Sequence, residues 1–266
     1  MAIVKESELK PNSLPINKII WGDALTTLKK FPSESVDCVI TSPPYNIGVD
    51  YDNTKDMVSW EEYHHFLTDV FRELYRVLKV GGRLCIVIGL GSKNDRHPTD
   101  AYIIANAESV GFKHRDRIIW YKKGVKKRTA WGTYKSARCP YVITPCEFIV
   151  VFSKGDYKKI PEGVSDIDTN EFKEYTFGWW DVGHAKNKIH PAEFPIEIPK
   201  RLIKLYTYVG DVVLDPFCGA GTTAVACILT NRRFVCIDIS EKYCMIAERR
   251  VKQYLAQQRL SVEVVE

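Results

Sequence analysis

The tetrapeptide Ser42-Pro43-Pro44-Tyr45 follows the apolar run VDCVIT and presents hydrogen-bond acceptors on a stiff backbone. Its two prolines fix φ and remove N–H donors, so the Ser42 hydroxyl and the Pro43 carbonyl can face one donor, beside the flat Tyr45 ring. This suits an exocyclic amino group of a nucleobase, whose nitrogen is a poor nucleophile because its lone pair is delocalised. Two acceptors on its hydrogens would favour a tetrahedral nitrogen and direct the lone pair at a methyl donor. A plain turn at a strand end is the alternative.

A glycine loop, LDPFCGAGTT, lies between a second apolar run and a helical pattern. Gly219 and Gly221 allow a tight turn and the close approach of a ligand. Asp238, at the end of the next apolar run, is placed to bind a ribose diol. Because Asp215 would repel a pyrophosphate, and Ala224 replaces the third glycine of a dinucleotide loop, S-adenosylmethionine with its cationic end is favoured over NAD. NAD binding and a plain strand–helix turn are the alternatives.

The elements that must position these residues alternate along the chain. Strand patterns rich in β-branched residues occur at residues 17–21, 36–41, 83–89, 115–121, 147–153, 211–215 and 233–239. Helical patterns occur at residues 60–79, 99–110, 195–208, 222–230 and 241–258. Ser59 and Glu62 form a capping-box pattern before the helix at 60–79, and Gly81-Gly82 is expected to end it. The alternation predicts an α/β fold with a doubly wound, mostly parallel sheet.

Together, TSPPYNIG, HPAEFP and LDPFCGAGTT resemble motifs of the amino-group DNA methyltransferases of bacteria and archaea. The tetrapeptide precedes the glycine loop, which is similar to the permuted, beta-type branch of that family. The resemblance extends over nearly the whole chain and implies a single methyltransferase domain at residues 1–266. It implies the AdoMet-dependent methyltransferase fold, with seven strands and helices on both faces, and S-adenosylmethionine as cofactor. It further implies double-stranded DNA as substrate, with the target base flipped out of the duplex.

The resemblance assigns roles to the positions that match the family motifs. The catalytic positions are Ser42, Pro43, Pro44 and Tyr45. The cofactor positions are Asp23, Ala24, His190, Pro191, Ala192, Phe194, Asp215, Phe217, Gly219, Gly221, Thr222 and Asp238. For Asp23 and His190, a helix cap and a loop hydrogen bond are equally good explanations.

The first residue of the tetrapeptide bears on which amino group is methylated. In the family that the chain resembles, Ser is usual in cytosine-N4 enzymes and Asp in adenine-N6 enzymes, so Ser42 favours cytosine N4. Hydroxyl and carboxylate are both acceptors, so this preference rests on the resemblance, and adenine N6 is the alternative. A restriction–modification role, a homodimer and a partner restriction endonuclease are all compatible with the resemblance.

Positive charge is concentrated in one segment of the chain. The net charge is +5, and residues 113–138 contain ten Lys or Arg against one acid, Asp116. Such a patch indicates a polyanionic partner, with a solvated loop as the alternative. Residues 122–145 and 155–190 do not fit the strand–helix alternation and are predicted to be inserted loops that form a target-recognition region. The residues expected to contact DNA are Lys122, Lys123, Lys126, Lys127, Arg128, Trp131 and Tyr134.

Composition excludes several classes of protein. With 45% apolar and 27% charged residues, the chain is an ordinary globular protein. It has no apolar run of the ~18 residues that a membrane helix needs, and its first residues lack the apolar core of a signal peptide, so a cytoplasmic protein is expected. The eight cysteines form no CxxC pair, so no metal site is expected.

Other functions are less favoured. Pro145-Cys146 is similar to the dipeptide of cytosine-C5 methyltransferases, in which a thiolate attacks the ring, but a C5 enzyme does not need Ser-Pro-Pro-Tyr. Cys146 is therefore expected to be a buried residue at the start of a strand. A catalytically inactive DNA-binding protein, an RNA methyltransferase and an NAD-dependent oxidoreductase are the remaining alternatives.

Overall fold

The computed structural model describes residues 3–48, 50–51, 54–55, 57–89, 97–123, 132–142, 144–159, 161–185 and 193–263. Its strands are β1 (Val4–Lys5), β2 (Lys18–Trp21), β3 (Val36–Thr41), β4 (Asp50–Tyr51), β5 (Thr54–Lys55), β6 (Leu78–Ile88), β7 (Phe112–Lys123), β8 (Cys146–Lys154), β9 (Trp179–Gly183), β10 (Val212–Asp215) and β11 (Arg233–Asp238). Its helices are α1 (Ala24–Leu28), α2 (Trp60–Val77), α3 (Thr99–Val110), α4 (Thr169–Tyr175), α5 (Glu197–Tyr206), α6 (Thr222–Leu229) and α7 (Glu241–Glu263). Within these ranges, no helix combines the length and apolar character needed to cross a membrane.

Nine strands of the described chain form one sheet, in the order β1-β2-β11-β10-β3-β6-β8-β7-β9. Neighbouring strands are parallel, except that β8 is antiparallel to both β6 and β7. The expected α/β fold with a mostly parallel sheet is confirmed, although the sheet has nine strands rather than seven, because β1 and β9 extend its two edges. The carboxyl ends of the parallel strands lie along one edge, and the antiparallel β8 brings its first residues to that same edge.

Helices cover both faces of this sheet. The helices α1, α2 and α3 pack on one face, where Leu74 and Ile103 join a buried cluster with Val39 of β3. The helices α5, α6 and α7 pack on the other face, where Leu202 joins a second cluster with Ile40 of the same strand. Because successive strand residues enter opposite cores, the strands read as continuous apolar runs.

The helix α2 begins as the sequence predicts but ends earlier. Ser59 Oγ accepts a hydrogen bond from Glu62 N at 3.2 Å, and the Glu62 carboxylate accepts one from Ser59 N at 3.0 Å, which completes the capping box. The expectation that Gly81-Gly82 ends this helix is wrong, because Leu78 already pairs with Val36 as the first residue of β6. Helix and strand are therefore joined without a glycine turn.

Part of the segment at residues 155–190 is regular structure. It contains α4, which Asp168 caps, and β9, which pairs in parallel with β7. Trp180 is fully buried, and its indole N–H donates to Tyr175 O at 3.1 Å. The prediction that this segment lies outside the strand–helix alternation is therefore wrong for α4 and β9. The alternation of exposed and buried residues in WWDV has the period of a half-buried strand.

Candidate active site

A cavity of about 500 Å³ opens at the edge of the sheet where β2, β3, β10 and β11 end. Ligands bind at this position in open α/β sheets. Asp23 both faces the cavity and caps α1, since its carboxylate accepts a hydrogen bond from Thr26 N at 2.9 Å. The two predicted motifs, far apart in the sequence, contribute to the same walls. The predicted site residues that line the cavity are Asp23, Ala24, Ser42, Pro43, Pro44, Phe194, Phe217, Gly219, Thr222 and Asp238.

The tetrapeptide is held at the end of β3 by hydrogen bonds to α2 and to the residues just before that helix. The Tyr63 hydroxyl of α2 donates to Pro44 O at 2.6 Å. Asn46 adopts a left-handed φ of 54° and makes two hydrogen bonds to the Val58 backbone, at 3.0 Å to its carbonyl and 2.9 Å from its N–H. These bonds join the residues after β3 to the start of α2, so the tetrapeptide has little freedom to move.

Asp215 lies beneath the glycine loop rather than on the cavity wall. Its carboxylate is buried and accepts hydrogen bonds from Thr41 Oγ1 at 2.8 Å, Thr223 Oγ1 at 2.6 Å and Phe217 N at 3.1 Å. Burial raises the pKa of this carboxyl to about 6. The carboxylate thus ties β3, β10 and α6 together, contrary to the expectation that it faces the cationic end of a ligand.

The glycines of the loop have different roles. Gly221 also lies off the cavity wall; its φ is +77°, and a Cβ there would be 2.7 Å from the Cβ of Ala247, so it lets α6 and α7 approach closely. Gly219 N donates to Asp238 Oδ2 at 2.8 Å, while Asp238 Oδ1 accepts from Ser240 N at 2.9 Å. Asp238 therefore joins the glycine loop to the end of β11 and still lines the cavity.

Glu193 lines the cavity although the sequence analysis did not single it out. Its carboxylate accepts hydrogen bonds from Thr222 Oγ1 at 3.0 Å and from Arg250 Nη1 at 2.7 Å, and Arg250 also donates to Ala220 O. The sequence could have indicated Glu193, because it belongs to the motif HPAEFP, from which His190, Pro191, Ala192 and Phe194 were predicted to bind the cofactor. The other lining residues not predicted from the sequence are Asn46, Val58, Glu62, Tyr63, Phe66, Pro216, Cys218, Ala220, Ile239, Ser240 and Tyr243.

The wall of the cavity is acidic. It carries the carboxylates of Asp23, Glu62, Glu193 and Asp238, and no Lys, Arg or His occurs among the lining residues of the described chain. Arg250, behind the wall, neutralises Glu193. The remaining negative charge favours a cationic ligand and opposes a pyrophosphate, which argues against NAD.

Lys122 lies in an ion pair near the end of β7. Its ammonium pairs with the Glu147 carboxylate and lies 4.9 Å from the centre of the Trp120 ring, and its side chain is only 20% exposed. This ion pair disfavours the phosphate contact predicted for Lys122, because the part-buried Glu147 carboxylate already neutralises the ammonium. Tyr134, by contrast, is 67% exposed.

Cys146 is the half-buried first residue of β8 and does not line the cavity. Burial raises the pKa of its thiol. A raised pKa lowers the thiolate population, which disfavours a nucleophilic role.

Some of the predicted site residues lie wholly or partly outside the described residues. For Lys123, the backbone at the end of β7 is described and the side chain is not. The predicted residues outside the described ranges are Lys126, Lys127, Arg128, Trp131, His190, Pro191 and Ala192.

A comparison with known protein families identifies the chain. The model of a family described as DNA methylase matches residues 36–249. The chain belongs to this DNA methylase family. The match includes both the tetrapeptide and the glycine loop, and it confirms the family expected from the sequence motifs.

Relatives of this methylase align over most of its length. The type II methyltransferase M.MjaI of Methanocaldococcus jannaschii is 32% identical, over 88% of this chain and 91% of the relative. The DNA adenine methyltransferase YhdJ of Escherichia coli is 30% identical, over 88% of this chain and 82% of YhdJ. The structure of TTHA0409 from Thermus thermophilus in complex with S-adenosyl-L-methionine has a TM-score of 0.72 and 29% identity, over 89% of this chain and 93% of that one.

Proposed function

We propose that this methylase transfers a methyl group from S-adenosylmethionine to an exocyclic amino group of a base in double-stranded DNA. The observation that carries the proposal is the shared cavity, which Ser42 and Pro43 line together with Gly219 and Asp238. A methyl donor beside the glycine loop would be adjacent to acceptors that can hold an amino group. Family membership and the S-adenosyl-L-methionine complex of TTHA0409 support the same cofactor.

The residues of the cavity fit this cofactor. A volume of about 500 Å³ is typical of a small-molecule site. Phe217, Ile239 and Tyr243 would contact the flat purine. Asp238, which joins the glycine loop to the end of β11, also lines the cavity, where its carboxylate can accept the ribose hydroxyls. The acidic wall suits the ammonium and sulfonium groups, and the cofactor, when bound, supplies an electrophilic methyl group.

The protein contributes to the reaction by positioning. The Ser42 hydroxyl and the Pro43 carbonyl would accept the hydrogens of the amino group, which favours a tetrahedral nitrogen with an available lone pair. Tyr63 and Asn46 hold the tetrapeptide rigid, so little reorganisation accompanies the reaction. The target base must leave the duplex at a cost of a few kcal/mol, and phosphate contacts offset that cost.

Cytosine N4 is the favoured target, because Ser42 occupies the tetrapeptide position at which the cytosine-N4 enzymes usually carry Ser. Adenine N6 is the second candidate, and the similarity to YhdJ, which is named as an adenine methyltransferase, supports it. Both targets present an exocyclic amino group, so the positioning chemistry of the tetrapeptide serves either. The similarity to M.MjaI, a type II methyltransferase, supports a restriction–modification role.

Residues 122–145 and 155–190 are proposed to recognise the target sequence. In their described part, exposed aromatic rings are available to stack on bases or to wedge into the duplex. They are Tyr134, Tyr141, Tyr157, Phe172, Phe177 and Trp179. Lys126, Lys127 and Arg128, in the adjoining basic segment, are proposed to contact phosphates.

Mass spectrometry of nucleosides tests the proposal. Unmethylated DNA is incubated with the protein and S-adenosylmethionine that carries a deuterated methyl group, with Ser42→Ala as the control for a catalytic role of the tetrapeptide. Deuterated N4-methylcytosine is the expected product. Deuterated N6-methyladenine would overturn the choice of base but retain the reaction. If the wild-type protein yields no labelled nucleoside, the proposed function is overturned. Competition with RNA distinguishes an RNA methyltransferase.

A further inference from the structure

A chain of polar contacts runs from the tetrapeptide to the strand pair β7 and β8. Ser42 Oγ lies 3.1 Å from the Tyr45 hydroxyl, which lies 3.4 Å from Glu147 Oε2. The other oxygen of Glu147 pairs with the ammonium of Lys122. The Glu147 side chain is 15% exposed, so this chain connects the candidate catalytic motif to a mostly buried ion pair.

The strand arrangement explains how residues distant in the sequence meet. Glu147 is opposite Trp120 in the antiparallel register, and Lys122 lies two residues further along β7, hence on the same face. Gly89 follows the end of β6, between Tyr45 and Glu147. A Cβ at Gly89 would lie 3.1 Å from Tyr45 Cε2 and 3.5 Å from Glu147 Cγ, so glycine there allows the two side chains to meet.

The chemistry of the groups fixes the direction of these hydrogen bonds. A carboxylate only accepts, so the Tyr45 hydroxyl must donate its hydrogen to Glu147. The contact between Tyr45 and Ser42 then has Ser42 as the donor. With its hydrogen committed to Tyr45, Ser42 Oγ offers lone pairs to other groups.

We propose that Glu147 is a positioning residue that, through Tyr45, makes Ser42 an acceptor toward the amino group of the target base. This inference rests on the proposed function of the cavity. Without the carboxylate, the Tyr45 hydroxyl could donate to Ser42 instead, and the Ser42 hydrogen would be free to point at the amino nitrogen. A donor there would occupy the lone pair that must attack the methyl group. Lys122 supplies the counter-charge that keeps Glu147 in the chain.

Substitution of Glu147 tests this role. With tritiated S-adenosylmethionine and unmethylated DNA at saturation, Glu147→Ala should lower the rate of methyl transfer roughly tenfold to 100-fold. The dissociation constant for the cofactor should stay within about twofold of wild type, because Glu147 is not among the residues that line the cavity in the described chain. Glu147→Gln should recover part of the rate, since its amide oxygen can still accept from Tyr45. If Glu147→Ala fails to fold, the Gln variant decides through the same measurements, with a rate below wild type as the expected result.

A double-mutant cycle separates positioning from a general structural effect. Because Glu147 acts through the Tyr45 hydroxyl, adding Glu147→Ala to Tyr45→Phe should cause no further loss of rate. Glu73→Ala is the matched control: Glu73 is also in an ion pair, with Arg76, and its side chain is 17% exposed, but it lies near the far end of α2. Its rate should equal that of wild type.

The outcomes distinguish this inference from the proposed function. Wild type that methylates DNA, with Glu147 variants equal to it, would overturn the inference alone. Losses that multiply in the double variant would also overturn it, since Glu147 would then act independently of Tyr45. Wild type that binds DNA and transfers no methyl group would overturn the proposed function and this inference together.

Discussion

The buried carboxyl of Asp215 makes the stability of the fold depend on pH. Its pKa is raised from 3.8 to about 6 by burial, so the folded protein binds this proton at a higher pH than the unfolded chain does. The contribution of the protonated Asp215 carboxyl to the free energy of unfolding is therefore complete below pH 3.8, and it is lost as the pH rises through about 6. Asp215→Asn removes the titration, so its free energy of unfolding relative to wild type should rise by roughly 3 kcal/mol across this range. Urea unfolding at several pH values measures it, and a pH-independent difference would contradict the prediction.

Lys122 should not behave as a phosphate contact. Its ammonium is paired with Glu147 and lies over the Trp120 ring. Lys122 therefore neutralises no phosphate when DNA binds and displaces no counterion. We expect Lys122→Ala to leave the slope of log affinity against log salt unchanged and to slow methyl transfer. Fluorescence anisotropy with labelled duplex DNA over a range of salt concentrations measures the slope. A slope reduced by about one unit would show a phosphate contact instead.

At the level of elements, the packing of α6 against α7 depends on Gly221. An alanine at this position would have to adopt the positive φ of +77°, and its Cβ would lie 2.7 Å from the Cβ of Ala247. Gly210→Ala is the matched control, because Gly210 has a φ of +83° but nothing within 4 Å of a Cβ. We expect Gly221→Ala to destabilise the protein by about 2–4 kcal/mol and Gly210→Ala by about 1 kcal/mol. Equal losses in urea unfolding would mean that backbone strain alone matters.

The sequence predicts elements well where one local pattern determines them. The strand Val36–Thr41 and the helix Thr99–Val110 have the predicted bounds, because the strand stops just before the Pro43-Pro44 pair and the helix ends at Gly111, whose φ of +112° is left-handed. The short helix α1 was not among the predicted helices, although a helix cap was one of the two explanations given for Asp23, which does cap α1. Local patterns decide a short element only weakly.

In the candidate site, too, local motifs predict some features, and contacts between distant elements determine the others. The motifs predicted which strand ends share a cavity, since the carboxyl ends of parallel strands meet at one edge. They did not predict that Asp215 points away from the cavity or that Lys122 pairs with Glu147. Such contacts depend on side-chain packing between elements, and Tyr45 and Glu147 are 102 residues apart. Charge alone therefore does not predict which groups the Asp215 carboxylate and the Lys122 ammonium contact.

For the whole molecule, the uneven charge distribution implies a directed approach of DNA. The net charge is +5, while residues 113–138 alone hold ten Lys or Arg and one acid, so the rest of the chain is net negative. The cavity wall is also acidic, which would repel phosphates from the cofactor site. A duplex should thus be bound by the basic segment, with only the flipped base entering the cavity.

Replacement of Lys126, Lys127 and Arg128 by Ala tests this arrangement. We expect weaker binding of duplex DNA and a salt slope that falls by about one unit for each phosphate that is no longer neutralised. A triple variant at exposed lysines elsewhere, Lys10, Lys29 and Lys252, removes the same charge and should keep the wild-type slope. Affinity for S-adenosylmethionine should be unchanged in both, because no Lys or Arg occurs in the lining of the cavity that the structure describes. If the two triple variants weaken DNA binding equally, net charge rather than a defined basic surface governs the encounter.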